Sequence, residues 1–400
     1  MKYDLCIVGG AGHVGLPLAL AFADSGLRVV IQDRNEAALE QIRAGCMPFT
    51  EDQGEALLAK ILPTGRLETT SATTALADAE TVIVTIGTPV DEFLNPDMNV
   101  IRQWVDDVYT VLSDDRLIVL RSTLYPGTTE WMAEYLQRRG RKPLIAFCPE
   151  RIAQGKALLE LKTLPQLVSG VTPAAGDAAE KLFRRIAPET LRLSPMEAEF
   201  AKLFSNAYRY ISFAIANQFY MLADRAGLDF DRIWHCCRQN YPRMMHVPLP
   251  GFTAGPCLFK DTMQLAAFNN HEFGLGHSAM LVNEGLPRYL VERVKAGRDL
   301  SVCTAGILGM AFKADVDDAR TSLSYKLKKV LELECARVLC ADPYVQDTSL
   351  LSQERVIAEA DVIFIGSPHT CYRTLRLPAA KRVVDVWNIL PKTSSGVSAS

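Results

Sequence analysis

The chain has 400 residues, of which 48% are hydrophobic and 22% charged, with a formal net charge of −3. That length exceeds one ordinary core and predicts a globular protein of two or three domains. Without a basic field nucleic acid is a poor partner, and without an apolar run near the ~20 residues that span a bilayer no membrane partner is expected.

The first third alternates between two periodicities. Residues 5–8 form a short apolar strand that runs straight into glycines, too early and too short for a signal peptide, so a cytoplasmic protein is expected. Residues 15–24 have the spacing of a helix, and 27–31, 81–86, 117–120 and 144–147 read as further buried strands with helical patterns between them. This order predicts a doubly wound, mostly parallel α/β sheet. From Pro195 to about Ala226 apolar residues recur at helical spacing without a strong breaker, which predicts one long helix that could join domains or support dimerisation. The last third returns to alternation: 302–308, 337–340, 362–365 and 383–386 are strand-like and 323–333 helix-like. This is a second, smaller α/β unit, followed by a Ser-rich tail expected to be disordered.

Gly10-Ala11-Gly12-His13-Val14-Gly15 fits G-x-G-x-x-G, and it follows a predicted strand and opens a predicted helix. Glycines there let the chain turn tightly and let a pyrophosphate reach backbone N–H groups at the helix N-terminus. Asp33 closes the second strand about 20 residues on, where a carboxylate accepts from a ribose 2′-hydroxyl and repels a 2′-phosphate. NAD is therefore expected over NADP, with Arg34 as the neighbouring cation. Gly87-Thr88-Pro89 and Ser122-Thr123 follow other strand ends, the usual ligand position in such sheets.

Ten cysteines lie along the chain without metal-type spacing, so reduced thiols and no metal are expected. Cys257 stands apart. It sits in a Gly/Pro-rich loop, three residues before Lys260 and four before Asp261. A nearby cation favours the thiolate, and a carboxylate can take a proton or orient water. The plain alternative is a buried cysteine beside a helix start. Lys202 and Asn206 are four apart on the long helix and project from one face, an ammonium and an amide able to stabilise an oxyanion, or else a solvated helix face. Glu150, in Cys148-Pro149-Glu150-Arg151, follows another strand end.

Together these segments identify a resemblance. With Gly87-Thr88-Pro89-Val90-Asp91, Ser122-Thr123-Leu124, Pro126-Gly127-Thr128, Cys148-Pro149-Glu150-Arg151, Gly255-Pro256-Cys257-Leu258 and Phe312-Lys313-Ala314-Asp315 with Asp318 and Arg320, in that order, the chain resembles the UDP-glucose / UDP-N-acetylmannosamine dehydrogenase family from its N-terminus to about Leu390. The resemblance implies an NAD-binding Rossmann domain over residues 1–194, a central helical domain with the dimer interface and Cys257 over 195–298, a UDP-binding Rossmann-like domain over 299–391, and a tail over 392–400. It places the active site in the cleft between the outer domains. It implies oxidation of a UDP-hexose C6 alcohol to the carboxylate with two NAD⁺, through a Cys257 thiohemiacetal and thioester. Lys202 and Asn206 would stabilise the oxyanion, Asp261 would act as base or water orienter, Thr123 would hold a water and Glu150 would assist hydrolysis. The cofactor site would comprise Gly10, Gly12, His13, Val14, Gly15, Asp33, Arg34, Thr88, Pro89 and Thr123. The sugar nucleotide would meet Glu150, Arg151, Lys202, Asn206, Arg209, Phe252, Gly255, Phe312, Lys313 and Arg320.

The chain departs from the family pattern at Ala254 and Phe259 around the cysteine, and at Gln154 and Gln218, where many members carry glutamate. The Cys148–Arg151 segment and Asn206-Ala207-Tyr208-Arg209 lean toward the N-acetylhexosamine branch. The hexose stays open between a C2 hydroxyl and a C2 acetamide. Two alternatives stand beside this reading: a two-electron hydroxy-acid dehydrogenase, and a non-catalytic protein that binds NAD or a nucleotide sugar.

Overall fold

The computed structural model describes residues 2–91, 97, 99–252, 255 and 257–391; the tail over 392–400, Ala254 and Pro256 lie outside the described residues. The chain divides into two compact units, Met1–Ser205 and Asn206–Ser400.

The first unit is built on β1 (Tyr3–Val8), β2 (Val29–Gln32), β3 (Leu67–Thr70), β4 (Ala79–Val84), β5 (Leu117–Leu120), β6 (Leu144–Phe147), β7 (Gln166–Gly170) and β8 (Thr190–Arg192). They form one sheet in the order β3-β2-β1-β4-β5-β6-β7-β8, with every neighbouring pair parallel except β6 and β7. Its helices are α1 (Gly15–Asp24), α2 (Glu36–Arg43), α3 (Gly54–Ile61), α4 (Asn99–Val108), α5 (Thr128–Arg138), α6 (Ala157–Thr163) and α7 (Pro173–Phe183). The strands are apolar on both faces because both faces are covered. Leu5 and Ile7 of β1 pack with Leu16, Leu20 and Phe22 of α1, while Cys6 and Val8 pack on the other side with Trp104 of α4 and Met132 of α5. The doubly wound architecture expected from the sequence is the one observed.

The long helix is α8 (Pro195–Arg225), 31 residues and about 46 Å at the standard rise. The division between the units falls inside it. In the second unit it is followed by α9 (Phe230–Arg238), α10 (Leu258–Phe268) and α11 (Gly274–Lys295). Then come β9 (Thr304–Leu308), α12 (Leu323–Glu334), β10 (Arg337–Ala341), α13 (Gln353–Glu359), β11 (Val362–Ile365) and β12 (Arg382–Val384). The four strands form a parallel sheet in the order β10-β9-β11-β12. Leu323, Leu327 and Leu331 of α12 cover one face and Val356 and Ala360 the other.

Several boundaries differ from the sequence reading, each for a local reason. The strand expected over 81–86 ends at Val84, because the Ile86 carbonyl turns to accept the Ser122 hydroxyl. The strand expected from 302 starts at Thr304, after a turn that leaves Val302 exposed. Three strands were not anticipated. β3 and β8 are short and polar-edged, and β7 runs antiparallel to β6. Among the described residues no helix is long and apolar enough to cross a membrane.

Candidate active site

The turn after β1 is shaped by what a side chain would hit. A Cβ on Gly10 would lie 2.6 Å from the Ile7 carbonyl oxygen, and one on Gly15 would lie 2.5 Å from Gly10 Cα. These two glycines let strand, turn and α1 close on one another. Gly12 is different: the nearest atom to its Cβ position is 3.6 Å away, and the residue is exposed. α1 starts at Gly15 with Val14 as its cap, which offers no side-chain acceptor, and its first turn holds no acidic residue. An open glycine before an uncapped helix N-terminus fits a pyrophosphate. Asp33 follows β2, where one carboxylate oxygen accepts the Ala11 N–H at 3.0 Å and the other the Asn35 N–H at 3.0 Å. Arg34 points outward, 83% exposed, and pairs with Asp107 at 3.1 Å. The His13 ring packs on Phe49 with centroids 4.1 Å apart, and its Nδ1 lies 3.2 Å from the Gln154 amide nitrogen.

The loops after β4 and β5 are tied to each other. Thr88 donates its hydroxyl to the Thr123 carbonyl at 2.5 Å, and Ser122 donates to the Ile86 carbonyl at 2.5 Å. Thr123 is buried, while Pro89 is exposed and accepts the Asp97 N–H. Glu150 is buried and both its oxygens are engaged. One pairs with the fully buried Arg121, and the other takes the N–H groups of Arg151 and Ile152 at 2.7 and 3.0 Å. Arg121 also donates to the Cys148 carbonyl at 3.1 Å and to Gln166 at 3.0 Å, and its guanidinium stands 5.0 Å from the Phe183 ring. Arg151 donates to the Pro165 carbonyl.

At the start of α8, Glu199 is buried and accepts from Gly127 N–H (2.6 Å), Thr129 N–H (2.9 Å) and the Thr129 hydroxyl (2.6 Å). Desolvation holds its carboxyl above the ordinary range despite these donors. Glu199 thereby caps α5, whose own cap Gly127 contributes no side chain. Lys202 follows, 9% exposed, and its ammonium makes no hydrogen bond or ion pair with any described residue. A buried ammonium of this kind is suited to an anionic partner supplied from outside.

The second unit gathers the thiol and its companions. Cys257 is the N-cap residue of α10 and is exposed. Its carbonyl accepts the Asp261 N–H at 2.8 Å, so the two residues are one helical turn apart. A helix N-terminus favours the thiolate. Burial, by contrast, pushes the Cys6 and Cys148 thiols up to about 12, out of the nucleophilic range. Asp261 is fully buried; Asn206 donates to its Oδ2 at 2.5 Å, and the Lys260 ammonium lies 3.4 Å from Oδ1. Arg320 is held by Asp318 through Nε (3.0 Å) and a terminal nitrogen (2.7 Å), which keeps the guanidinium firmly charged, and the nearby Cys257 adds to that.

Gly251, Phe252 and Gly255, shortly before Cys257, are each held by close neighbours. Gly251 has φ 150°, and a Cβ there would lie 2.2 Å from the Trp387 ring; Gly255 has φ 105°, and a Cβ there would lie 2.6 Å from Phe312. Phe252 is buried edge-on against Trp387. Asn217 of α8 accepts the Gly251 N–H at 2.8 Å, donates to its carbonyl at 3.1 Å, and donates to Asn283 at 2.9 Å. Phe259, a departure from the family pattern, packs edge-on to Tyr210 with centroids 6.3 Å apart. Arg209 is exposed on α8, and Lys313 is half-buried in the turn after β9.

Arg121, Gln166, Glu199 and Asn217 were not singled out from the sequence. Arg121 left a signal, a charge directly after the wholly apolar β5. Asn217 left another, an amide within an apolar helical run.

Comparison with known proteins covers almost the whole chain. Residues 3–187 match the NAD binding domain of the UDP-glucose/GDP-mannose dehydrogenase family, 196–284 its central domain and 306–392 its UDP binding domain. The UDP-N-acetyl-D-mannosamine dehydrogenase of Pyrococcus horikoshii is 30% identical, over 97% of this chain and 96% of that protein. The solved structure of that dehydrogenase from the same organism superposes with a TM-score of 0.90 at 28% identity, covering 98% of this chain and 97% of the other. A UDP-glucose dehydrogenase from Pyrobaculum islandicum gives a TM-score of 0.88 at 27% identity, with 96% and 94% covered.

Proposed function

The chain belongs to the UDP-glucose/GDP-mannose dehydrogenase family, and on that footing we propose that it is an NAD-dependent nucleotide-sugar 6-dehydrogenase with Cys257 as its covalent nucleophile. The observation that carries this reading is the thiol at the N-terminus of α10 with Asp261 one turn along and Asn206 hydrogen-bonded to that carboxylate. The balanced reaction turns one primary alcohol, two NAD⁺ and one water into one carboxylate, two NADH and three protons.

Gly10, Gly12, His13, Val14 and Gly15, with Asp33, Arg34, Thr88, Pro89 and Thr123, are assigned to NAD. Bound NAD⁺ would accept one hydride at each oxidation level, alcohol to aldehyde and thiohemiacetal to thioester. Cys257 Sγ adds to the aldehyde carbon, because a carbonyl must be converted to a tetrahedral alkoxide before a second hydride can leave. Lys202, buried and without a described partner, balances the negative oxygen, aided by Asn206. Asp261 takes the proton from the water that cleaves the thioester and returns the free thiol. Glu150, with both oxygens occupied, is assigned to holding the loop of Arg151 rather than to proton transfer. Arg209, Phe252, Gly255, Phe312, Lys313 and Arg320 are assigned to the UDP-sugar. The working domain limits are 1–194, 195–298 and 299–391.

The substrate reading favours a UDP-N-acetylhexosamine, on the Asn206–Arg209 segment and the named activity of the Pyrococcus relative. NADH released per sugar, followed by absorbance with UDP-N-acetylmannosamine, UDP-N-acetylglucosamine and UDP-glucose in turn, tests both points. Two NADH per sugar with one of them is the expected result. One NADH per sugar would instead favour the two-electron dehydrogenase, and no turnover with any sugar would favour a binding protein. The reaction is placed in the cytoplasm, where thiols stay reduced.

A homodimer is also proposed. α8 carries a row of exposed apolar side chains, Phe204, Tyr208 (72% exposed), Ile215, Phe219 and Leu222, at helical spacing along one face. Phe219→Arg is expected to convert the dimer to monomer in light scattering. A monomeric wild type, or a variant still dimeric at the same concentration, would sink the assignment.

A further inference from the structure

The turn after β9 carries Phe312, Lys313 and Arg320, and its part in nucleotide binding rests on the proposed function, which assigns these residues to the UDP-sugar. The turn is not relaxed. Asp315 and Thr321 have φ of 56° and 53°, a region that residues with side chains avoid unless surroundings impose it. The surroundings here converge on one buried imidazole.

His369 is fully buried just beyond β11. Its Nδ1 accepts the Asp315 N–H at 2.9 Å, so the ring proton sits on Nε2, which faces Asp342 Oδ2 at 3.0 Å. The same Asp342 oxygen accepts Met310 N–H (2.6 Å) and Ala311 N–H (2.9 Å). The other oxygen takes Tyr344 N–H (2.8 Å) and Val345 N–H (2.9 Å). Burial works against ionising Asp342, but His369 and these N–H groups outweigh it and hold the carboxyl down at about 2. Asp315 answers from the turn, accepting Thr370 N–H at 2.8 Å and the Thr370 hydroxyl at 2.5 Å. Gly309, with φ 95°, lies so close to Ser367 that a Cβ would be 2.6 Å from its nitrogen. Tyr344 and Tyr372 flank the imidazole at 5.0 and 5.4 Å.

We infer that His369 is a positioning residue for nucleotide-sugar binding: bridging the Asp315 N–H and the Asp342 carboxylate, it holds the 309–321 turn in the conformation that presents Lys313 and Arg320. Only the neutral ring with its proton on Nε2 satisfies both neighbours. The opposite tautomer would set N–H against N–H at Asp315 and a lone pair against a carboxylate.

The test uses the full chain with His369→Ala and His369→Asn, the latter able to keep an acceptor toward Asp315. UDP affinity is measured by calorimetry, NADH affinity by fluorescence and amide exchange over 309–321 by mass spectrometry. In His369→Ala the UDP Kd and the sugar KM are expected to rise about tenfold or more, with NADH affinity and kcat within threefold of wild type and faster exchange confined to the turn. His369→Asn should recover part of the UDP affinity. Unchanged UDP affinity together with unchanged exchange in a folded variant would overturn the inference, as would an equal loss of UDP and NADH affinity. If the wild type binds no UDP, the assignment of the turn to the nucleotide fails. Faster exchange in His369→Ala would then still uphold the anchoring of the turn by His369, and unchanged exchange would refute it.

Discussion

Replacing Cys257 by serine should abolish acid formation, by about a thousandfold or more, which corresponds to about 4 kcal/mol of lost transition-state stabilisation. A serine hydroxyl in the same place is not ionised near neutral pH, and the N-terminus of α10 that favours a thiolate cannot make up the difference. The first oxidation does not use the thiol, so the variant should release at most one NADH per sugar where the wild type releases two. Product analysis by mass spectrometry separates acid from aldehyde. A Cys257→Ser protein that makes acid at the wild-type rate would end the covalent mechanism, whatever its NAD affinity.

The largest stability effect is expected at Arg121. Its guanidinium is wholly buried and joins Glu150, Gln166 and the Cys148 carbonyl. Arg121→Met would leave the Glu150 carboxylate buried with its charge uncompensated, at a cost of about 3–5 kcal/mol. For a unit of this size each kcal/mol lowers Tm by about 2–4 °C, so a fall of about 6–20 °C is expected by circular dichroism. The double variant Arg121→Met/Glu150→Gln should regain most of the loss, because no unpaired charge remains. A single variant less than about 1 kcal/mol below wild type would show that the network is not a structural anchor.

Features decided within a few residues were legible in the sequence. The helix beginning at Gly15, the 31-residue α8 and the strands at 117–120 and 144–147 follow from local periodicity, and the structure has them at those positions. Cys257 could be singled out because its setting is written around it. The polar contacts that hold the site come from far apart. Arg121 meets Glu150 across 29 residues, Glu199 meets Thr129 across 70, and Asn217 meets Gly251 across 34. No local pattern encodes such pairs: Arg121 and Asn217 stand out against apolar surroundings, but nothing near either of them in the sequence names the partner it meets. The edge strands β3 and β8 escaped for the complementary reason: being short and partly polar, they take their conformation from the strand beside them.

Asp33 and Asp342 occupy matching places. Each follows the strand next to the first strand of its sheet, and each accepts backbone N–H groups from the turn that leaves that first strand, Ala11 in one case and Met310 with Ala311 in the other. The acid at this position therefore has work to do whether or not a ribose is bound. This bears on anyone wishing to redesign the coenzyme preference of the chain. Exchanging Asp33 for glycine or alanine to admit a phosphorylated ribose would also strip the Ala11 N–H of its acceptor and loosen the glycine turn for every dinucleotide. A successful exchange would keep a short polar side chain there, such as serine or asparagine, and bring in the new positive charge from a neighbouring position.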